Sequence, residues 1–183
     1  MTELNTESQY NTVITRCKEL FLNKMRDYGA SWRIFRLPSL TDQLYIKANR
    51  IRSVQTKKVS KVDEGIESDF IGIVNYSVIA LIQIWKGVAD TPDLNVEDAE
   101  KWYDAVVKKA CELLECKNHD YDEAWRNMRI SSITDIILVK LLRIKEIENN
   151  EGATIASEGA DSNYFDILNY AVFALILIQE QTK

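Results

Sequence analysis

Residues that break helices are scarce in this 183-residue chain, which has only 2 prolines and 6 glycines. Proline and glycine mark turns, so their scarcity favours long helices and argues against a β-sandwich, whose short strands need frequent turns. The hydrophobic fraction of 46% fits an ordinary soluble globule. A chain of this length buries roughly 70% of the surface that its unfolded form exposes, which is enough for a substantial core.

Cysteine and long apolar runs are also limited. The three cysteines are an odd number and form no CxxC pair, which disfavours a zinc set or a disulfide framework and favours reduced thiols in a cytoplasmic protein. The N-terminus lacks the basic segment and apolar run of a signal peptide. The longest apolar runs, near 71–85 and 167–178, are shorter than the roughly 20 residues that cross a membrane, so we expect buried helices.

Positive charge and histidine are in short supply as well. Lysine and arginine total 23 against 28 acidic residues, and the net charge is −5. This balance disfavours nucleic acid or an anionic membrane as a partner, although it permits a local basic pocket. The single histidine, His119, supports neither a Ser-His-Asp nor a Cys-His set, and the chain has no P-loop or GxGxxG motif.

The chain does contain an internal repeat. The pattern DYxxxWRxxR spans 27–36 and returns 93 positions later at 120–129. Around each copy the sequence predicts an amphipathic helix, a helix that opens with Ser-x-x-Asp, and a third helix that is apolar nearly all round. Because such a third helix is unstable alone in water, we predict an all-α six-helix bundle. Its two three-helix units, 1–88 and 89–183, would pack about a pseudo-two-fold axis.

Two cations interrupt the second helix of each unit. Lys140 and Arg143 are three positions apart and share one helix face, and Lys47 and Arg50 repeat the pair. Either their stems cover apolar surface while their charges reach water, or they face a pocket that holds an anion. The adjacent arginines of DYxxxWRxxR leave a similar choice between pairing with nearby acids and binding phosphate.

An Asn-Tyr pair lies within the most apolar helix of each unit, at 75–76 and 169–170. A buried asparagine needs hydrogen-bond partners, which another helix or a ligand can supply. Asp166 precedes the second pair by one turn, whereas Gly72 occupies the matching position in the first unit. A carboxylate site that contains Asp166 would therefore be complete in the second half only.

Several acids have both a structural and a functional interpretation. The pairs at 64 and 67 and at 158 and 161 either favour the positive end of a helix dipole or supply the oxygen ligands that Mg²⁺ prefers. Asp27 and Asp120 fall at a helix end that disfavours acids, which favours a function for them. Trp32 and Trp125 are either core anchors or platforms on which a base stacks.

In order and spacing, these motifs (DYxxxWR, KxxRI, and an acid followed by NY) resemble the first nucleotide-modification-associated domain family. The resemblance covers about 10–85 and 103–180, and it implies a small helical fold with a role in making or processing modified nucleotides. Gly72 departs from the family pattern where an acid is expected, and Asp122 departs where glycine usually follows DY. A weaker likeness connects the chain to MazG-type all-α nucleotide pyrophosphatases, but their EExxE signature is missing.

We therefore expect a cytoplasmic protein that binds or processes a nucleotide or nucleoside phosphate, with Mg²⁺ as a hypothetical cofactor. The catalytic candidates are Asp120 and Asp166, which would bind the metal together with Glu158 and Asp161. The candidates for substrate or phosphate binding are Arg126, Lys140, Arg143, Asn169 and Tyr170. The first-half equivalents of the site residues are Asp27, Arg33, Lys47, Arg50, Asn75 and Tyr76. The alternative is a non-catalytic helical interaction module whose polar residues are structural cross-braces. A homo-oligomer is compatible with both.

Overall fold

A computed structural model of the chain describes residues 6–57, 65–156 and 158–182, without the side chains of 119 and 120. These ranges form six α-helices and two short 3-10 turns, with no strand among them. The helices are α1 (Thr6–Tyr28), α2 (Leu37–Lys57), α3 (Ile66–Lys86), α4 (Val96–Tyr121), α5 (Ile130–Asn149) and α6 (Ala160–Gln181), and the 3-10 turns span Ser31–Ile34 and Ala124–Asn127. The predicted all-α, six-helix class is confirmed.

The two most apolar helices lie at the centre of the bundle. Helix α3 packs against α6, and most residues of both helices are buried. On one side α2 and α5 pack against them and against each other, and on the other side α1 and α4 do the same. This layering removes the apolar surface of α3 and α6 from water, which is the main stabilising contribution to such a fold.

Two buried tyrosines tie each half of the chain to the other. The Tyr10 hydroxyl donates to Oδ1 of Asn169 at 2.8 Å, and the Tyr103 hydroxyl donates to Oδ1 of Asn75 at 2.8 Å. Each asparagine amide also donates to a backbone carbonyl of the first helix in its own half, at 3.0 and 3.1 Å. The Asn of the Asn-Tyr pair is therefore a structural clasp between helices, as one of the two interpretations of the sequence expected.

A second pair of reciprocal contacts joins α2 to α5. The Thr41 hydroxyl lies 2.7 Å from Oε1 of Glu148, while Nε2 of Gln55 donates to the Thr134 hydroxyl at 3.1 Å. Residues 41 and 134 are equivalent in the repeat, and so are 55 and 148. A pseudo-two-fold relation would produce such exchanged contacts. The axis itself and the division at 88 and 89 stay predictions.

The second helix of each unit begins earlier than Ser-x-x-Asp suggested. Helix α2 starts at Leu37 and α5 at Ile130, so both serines lie in the first turn rather than at the cap. Proline is tolerated in that first turn because its missing N–H has no intrahelical acceptor there, and Pro38 therefore does not delay the start. The acids of the motif instead contact the neighbouring half: Asp42 pairs with Lys145 at 3.0 Å.

Within the described residues, one helix is long and apolar enough to cross a membrane by length and composition alone. This helix is α3, and 72% of its most apolar 18-residue window is buried inside the fold. Such burial is the pattern of a core helix in a soluble protein.

Candidate functional site

A pocket of about 430 Å³ opens in the second half between α4, the second 3-10 turn and α6. One wall is aromatic: the rings of Trp125 and Phe173 stack in parallel with centroids 4.2 Å apart, and Tyr170 meets Phe173 edge-on at 5.9 Å. The polar residues of the lining include Lys117, Asn118, Asp166 and Asn169. An aromatic wall beside a few polar groups is the usual composition of a small-molecule site.

The indole of Trp125 has a buried N–H with no hydrogen-bond acceptor among the described residues. Trp125 is only 6% exposed, so water reaches this atom poorly. Its equivalent in the first half, Trp32, donates to the sulfur of Met25 at 3.2 Å. The second half has Asn118 at the position of that methionine, and the bond to sulfur is lost with it.

Asp166 is held between two lysines at one edge of this pocket. Its two carboxylate oxygens lie 2.5 Å from Nζ of Lys117 and 2.6 Å from Nζ of Lys140. Burial opposes ionisation of Asp166, but hydrogen bonds from the two ammonium groups outweigh it and lower the pKa of the carboxyl. Asp166 is therefore an ionised counter-ion for two lysines, and a low pKa makes it a weak general base.

A wider groove of about 770 Å³ adjoins the pocket, and Asp166 lines both. The groove also contains Lys140, Arg143 and Glu158. Arg143 is exposed, and no described residue pairs with it. Glu158 accepts a hydrogen bond from the Ser162 hydroxyl. Four predicted phosphate or metal residues, Lys140, Arg143, Glu158 and Asp166, thus share one groove.

The first half carries a pocket of about 360 Å³ at the matching place. Its lining includes Lys24, Trp32, Lys47, Gly72, Asn75 and Tyr76, which are equivalent to residues 117, 125, 140, 166, 169 and 170 of the second half. The acid of this half lies one helical turn away from position 72. Asp69 pairs with Arg50, and one of its oxygens is 3.9 Å from Nζ of Lys47.

The two predicted arginines of the WR motif lie outside the linings of both pockets. Arg33 is buried, donates to Asp93 at 2.7 Å and contacts Gln83. Arg126 donates to Glu123 at 2.6 Å, to Glu180 at 3.2 Å and to Gln9 at 2.8 Å. Both arginines tie a 3-10 turn to distant parts of the chain, as cross-braces do. Arg126 also lies over the ring of Trp125, 4.5 Å from its centroid, and so supports the pocket wall.

The predicted metal ligands do not come together within the part of the chain that the structure describes. No group of three or more His, Cys, Asp or Glu side chains there could hold an ion. Asp120 belongs to α4, but its side chain is outside the described atoms, and Glu64 is outside as well. Asp27 and Asp161 are exposed. Magnesium binding and a catalytic role for Asp120 stay predictions.

Sequence reasoning missed Lys117 and its equivalent Lys24. Both line a pocket, and Lys117 contributes one of the two ammonium groups on Asp166. A signal for them existed, because lysine recurs at the repeat spacing three residues before the aspartate of DY. Phe173 was also missed, since a phenylalanine inside an apolar run looks the same whether it packs in the core or forms a pocket wall.

Comparison with known proteins gives one family. The model of the nucleotide modification associated domain 1 family matches residues 24–84 and 117–178, one region in each half. No curated protein and no solved structure matches the chain. The two matched regions cover more than half of the sequence and contain the lysine, tryptophan and Asn-Tyr positions that line both pockets. The chain belongs to the nucleotide modification associated domain 1 family.

Proposed function

We propose that the protein binds a nucleotide-like small molecule in the second-half pocket, with the base against the aromatic wall. The observation that carries this proposal is the buried indole N–H of Trp125, which lacks an acceptor beside that wall. An unsatisfied buried donor costs about 1–3 kcal/mol. A base that displaces the side chains covering this atom would bring a carbonyl oxygen or ring nitrogen to it, accept the hydrogen bond and remove the cost.

The adjoining groove supplies the charge for a phosphate. Arg143 is exposed without a described partner, and Lys140 lies beside it on α5. Arginine grips phosphate through two parallel hydrogen bonds, and lysine adds a point charge. Tyr170 keeps a neutral hydroxyl, because burial and the nearby Asp166 raise its pKa. Asn169 uses both amide atoms within the protein, so it positions α6 rather than contacting the ligand.

Processing of the bound nucleotide would be a further step. In this proposal Mg²⁺ would bind Asp120, Asp166, Glu158 and Asp161 together with phosphate oxygens of the ligand, because the described residues alone form no metal group. No chemical step is assigned to the ion. We place the protein in the cytoplasm, with no nucleic acid or membrane as partner, and we leave a homo-oligomer open.

A non-catalytic interaction module is the second candidate, and one observation favours it. Arg33 and Arg126, which carry the repeated WR motif, are fully engaged in ion pairs and hydrogen bonds that hold turns in place. Under this alternative the motif is shared because the fold needs it, and the pockets have no ligand.

Two measurements distinguish nucleotide binding from a non-catalytic interaction module: calorimetric titration and thermal unfolding. Both use nucleosides, nucleoside monophosphates and nucleoside triphosphates, each with and without Mg²⁺. We expect one ligand class to bind and raise the melting temperature. Trp125→Phe keeps the aromatic wall but removes the N–H, and we expect it to weaken binding about tenfold, as loss of one hydrogen bond does.

The matched control is Trp32→Phe, which removes the equivalent N–H from the first half and should leave this binding unchanged. Absence of stabilisation by every ligand would support the interaction module. Binding to Trp125→Phe as tight as to the wild type would contradict the assigned site.

A further inference from the structure

The pocket of the first half lacks a carboxylate that the second-half pocket has. In the second half, Asp166 lies between Lys117 and Lys140, with oxygens 2.5 and 2.6 Å from their ammonium groups. The first half keeps both lysines, as Lys24 and Lys47, but has Gly72 in place of the acid. In the second half, Lys117 and Lys140 share Asp166 as their counter-ion. In the first half, the equivalent lysines have no acid at that position.

The other charged groups around the first pocket do not replace the missing acid. Asp69 is outside the pocket lining, pairs with Arg50, and reaches Lys47 only at 3.9 Å. Lys24 is exposed, and no described residue pairs with it. Tyr76 also lines the pocket, and burial raises its pKa, so the hydroxyl is neutral. The pocket thus carries a surplus of positive charge.

Gly72 also determines where Lys47 lies. A Cβ atom added at position 72 would be 2.8 Å from Cε and 3.1 Å from Nζ of Lys47. The lysine side chain therefore runs directly over the glycine, with its ammonium 5.8 Å from the centroid of the Tyr76 ring. A larger residue at 72 would push Lys47 aside, so glycine keeps this ammonium at the pocket.

We propose that the first-half pocket is a separate site for the oxyanion group of a small molecule, either a phosphate monoester or a carboxylate. The anion binds between Lys24 and Lys47, in the place that the Asp166 carboxylate occupies in the second half. Asp166 is then a built-in substitute for that ligand. The pocket volume of about 360 Å³ and the rings of Trp32, Phe35 and Tyr76 fit a ligand with an aromatic body attached to the anion. This site is independent of the nucleotide site proposed above.

Titration with phenyl phosphate, benzoate and inorganic phosphate, followed by amide chemical shifts in NMR, tests the proposal. We expect saturable shifts at Gly72 and Lys24, and the tighter of the two aromatic anions identifies which oxyanion the site takes. Lys24→Gln should weaken binding at least tenfold. Lys108→Gln, which removes the same charge from an exposed position outside the pocket, should not change it.

Exchange of the residues at positions 72 and 166 gives the sharper test. Gly72→Asp should abolish binding in the first half, because the new side chain displaces Lys47 and its carboxylate takes the place of the anion. Asp166→Gly should add a second site of similar affinity, seen as shifts at the amide of residue 166. Lack of saturable shifts at Gly72 with all three probes, or unchanged binding in Lys24→Gln, would overturn the proposal. This titration uses no nucleotide and does not involve Trp125. A negative result would therefore contradict the anion site without bearing on the proposed nucleotide site.

Discussion

The two halves place the same charges around their pockets but put the acid at different positions. Each half has two lysines, one arginine and one aspartate at equivalent or adjacent sites. The first half has Asp69, which pairs with Arg50 at the edge of the unit, and the second half has Asp166, one helical turn further along α6, between two lysines. In the first half the unpaired cation is Lys24, which lines the aromatic pocket. In the second half it is Arg143, which lies in the neighbouring groove.

This difference shows how the two copies of one unit can keep a shared contact while the charge at their pockets changes. The fold contacts are kept in both halves, because Tyr10 and Tyr103 hold equivalent asparagines with bonds of equal length. One of the differences between the halves is the position of the acid on the third helix, which decides which cations lack a counter-ion. The charge at the pockets therefore differs between the halves although the tyrosine–asparagine contacts are the same.

The largest expected difference concerns the arginines of the WR motif. Arg33 is 1% exposed and holds Asp93 and Gln83, whereas Arg126 is partly exposed among Glu123 and Glu180. We expect Arg33→Met to lower the free energy of unfolding by about 2 kcal/mol, because it leaves the buried amide oxygen of Gln83 without its donor. Arg126→Met should cost about 1 kcal/mol, since solvent screens its pairs. Urea denaturation measures both, and equal losses would show that the two braces are equivalent after all.

The tyrosine clasps should instead behave alike. Tyr10→Phe and Tyr103→Phe each remove the hydroxyl that donates to a buried asparagine oxygen. We expect each change to cost about 1–1.5 kcal/mol by urea denaturation, because the oxygen loses its partner and water cannot easily replace it. Costs that differ by more than about 1 kcal/mol would contradict the reciprocal relation between the halves.

The helices could be predicted from the sequence because their signal is local. Apolar residues at helical spacing identify a buried face, and repetition of the pattern doubles the evidence. The partner of Asn75 could not be predicted, because Tyr103 comes from the other half and its approach depends on how the units pack. For the same reason Arg126 was assigned to phosphate, although its partners come from both ends of the chain.

Some features of the candidate site could be predicted from the sequence, and others could not. The asymmetry between Asp166 and Gly72 was visible in the repeat, and the structure places these residues in matching pockets. The pairing of Asp166 with Lys117 was not visible, because it joins α4 to α6 across 49 positions. The missing acceptor for Trp125 was also out of reach, since it depends on side-chain packing around residue 118.

The smallest expected effect tests the contact between α2 and α5. Glu148 lies near the hydroxyls of Thr41 and Tyr164, at 2.7 and 3.5 Å, and its equivalent in the first half is the neutral Gln55. Burial raises the pKa of Glu148 although hydrogen bonds from both hydroxyls oppose it. Ionisation therefore weakens the folded state, and Glu148→Gln should stabilise the protein at neutral pH, by less than about 1 kcal/mol because solvent screens a half-buried group.

The pH dependence gives this last prediction its sign. A carboxyl whose folded pKa is raised contributes full stability below its unfolded pKa, near about 4.3 for glutamate, and loses it as the pH rises through the folded value. The advantage of Glu148→Gln over the wild type should thus be absent near pH 4 and grow toward neutral pH, as followed by urea denaturation at each pH. Gln55→Glu, which places an acid at the equivalent position in the first half, should reverse the sign at neutral pH. An advantage for Glu148→Gln that is constant with pH would show that packing, rather than the buried charge, distinguishes the two contacts.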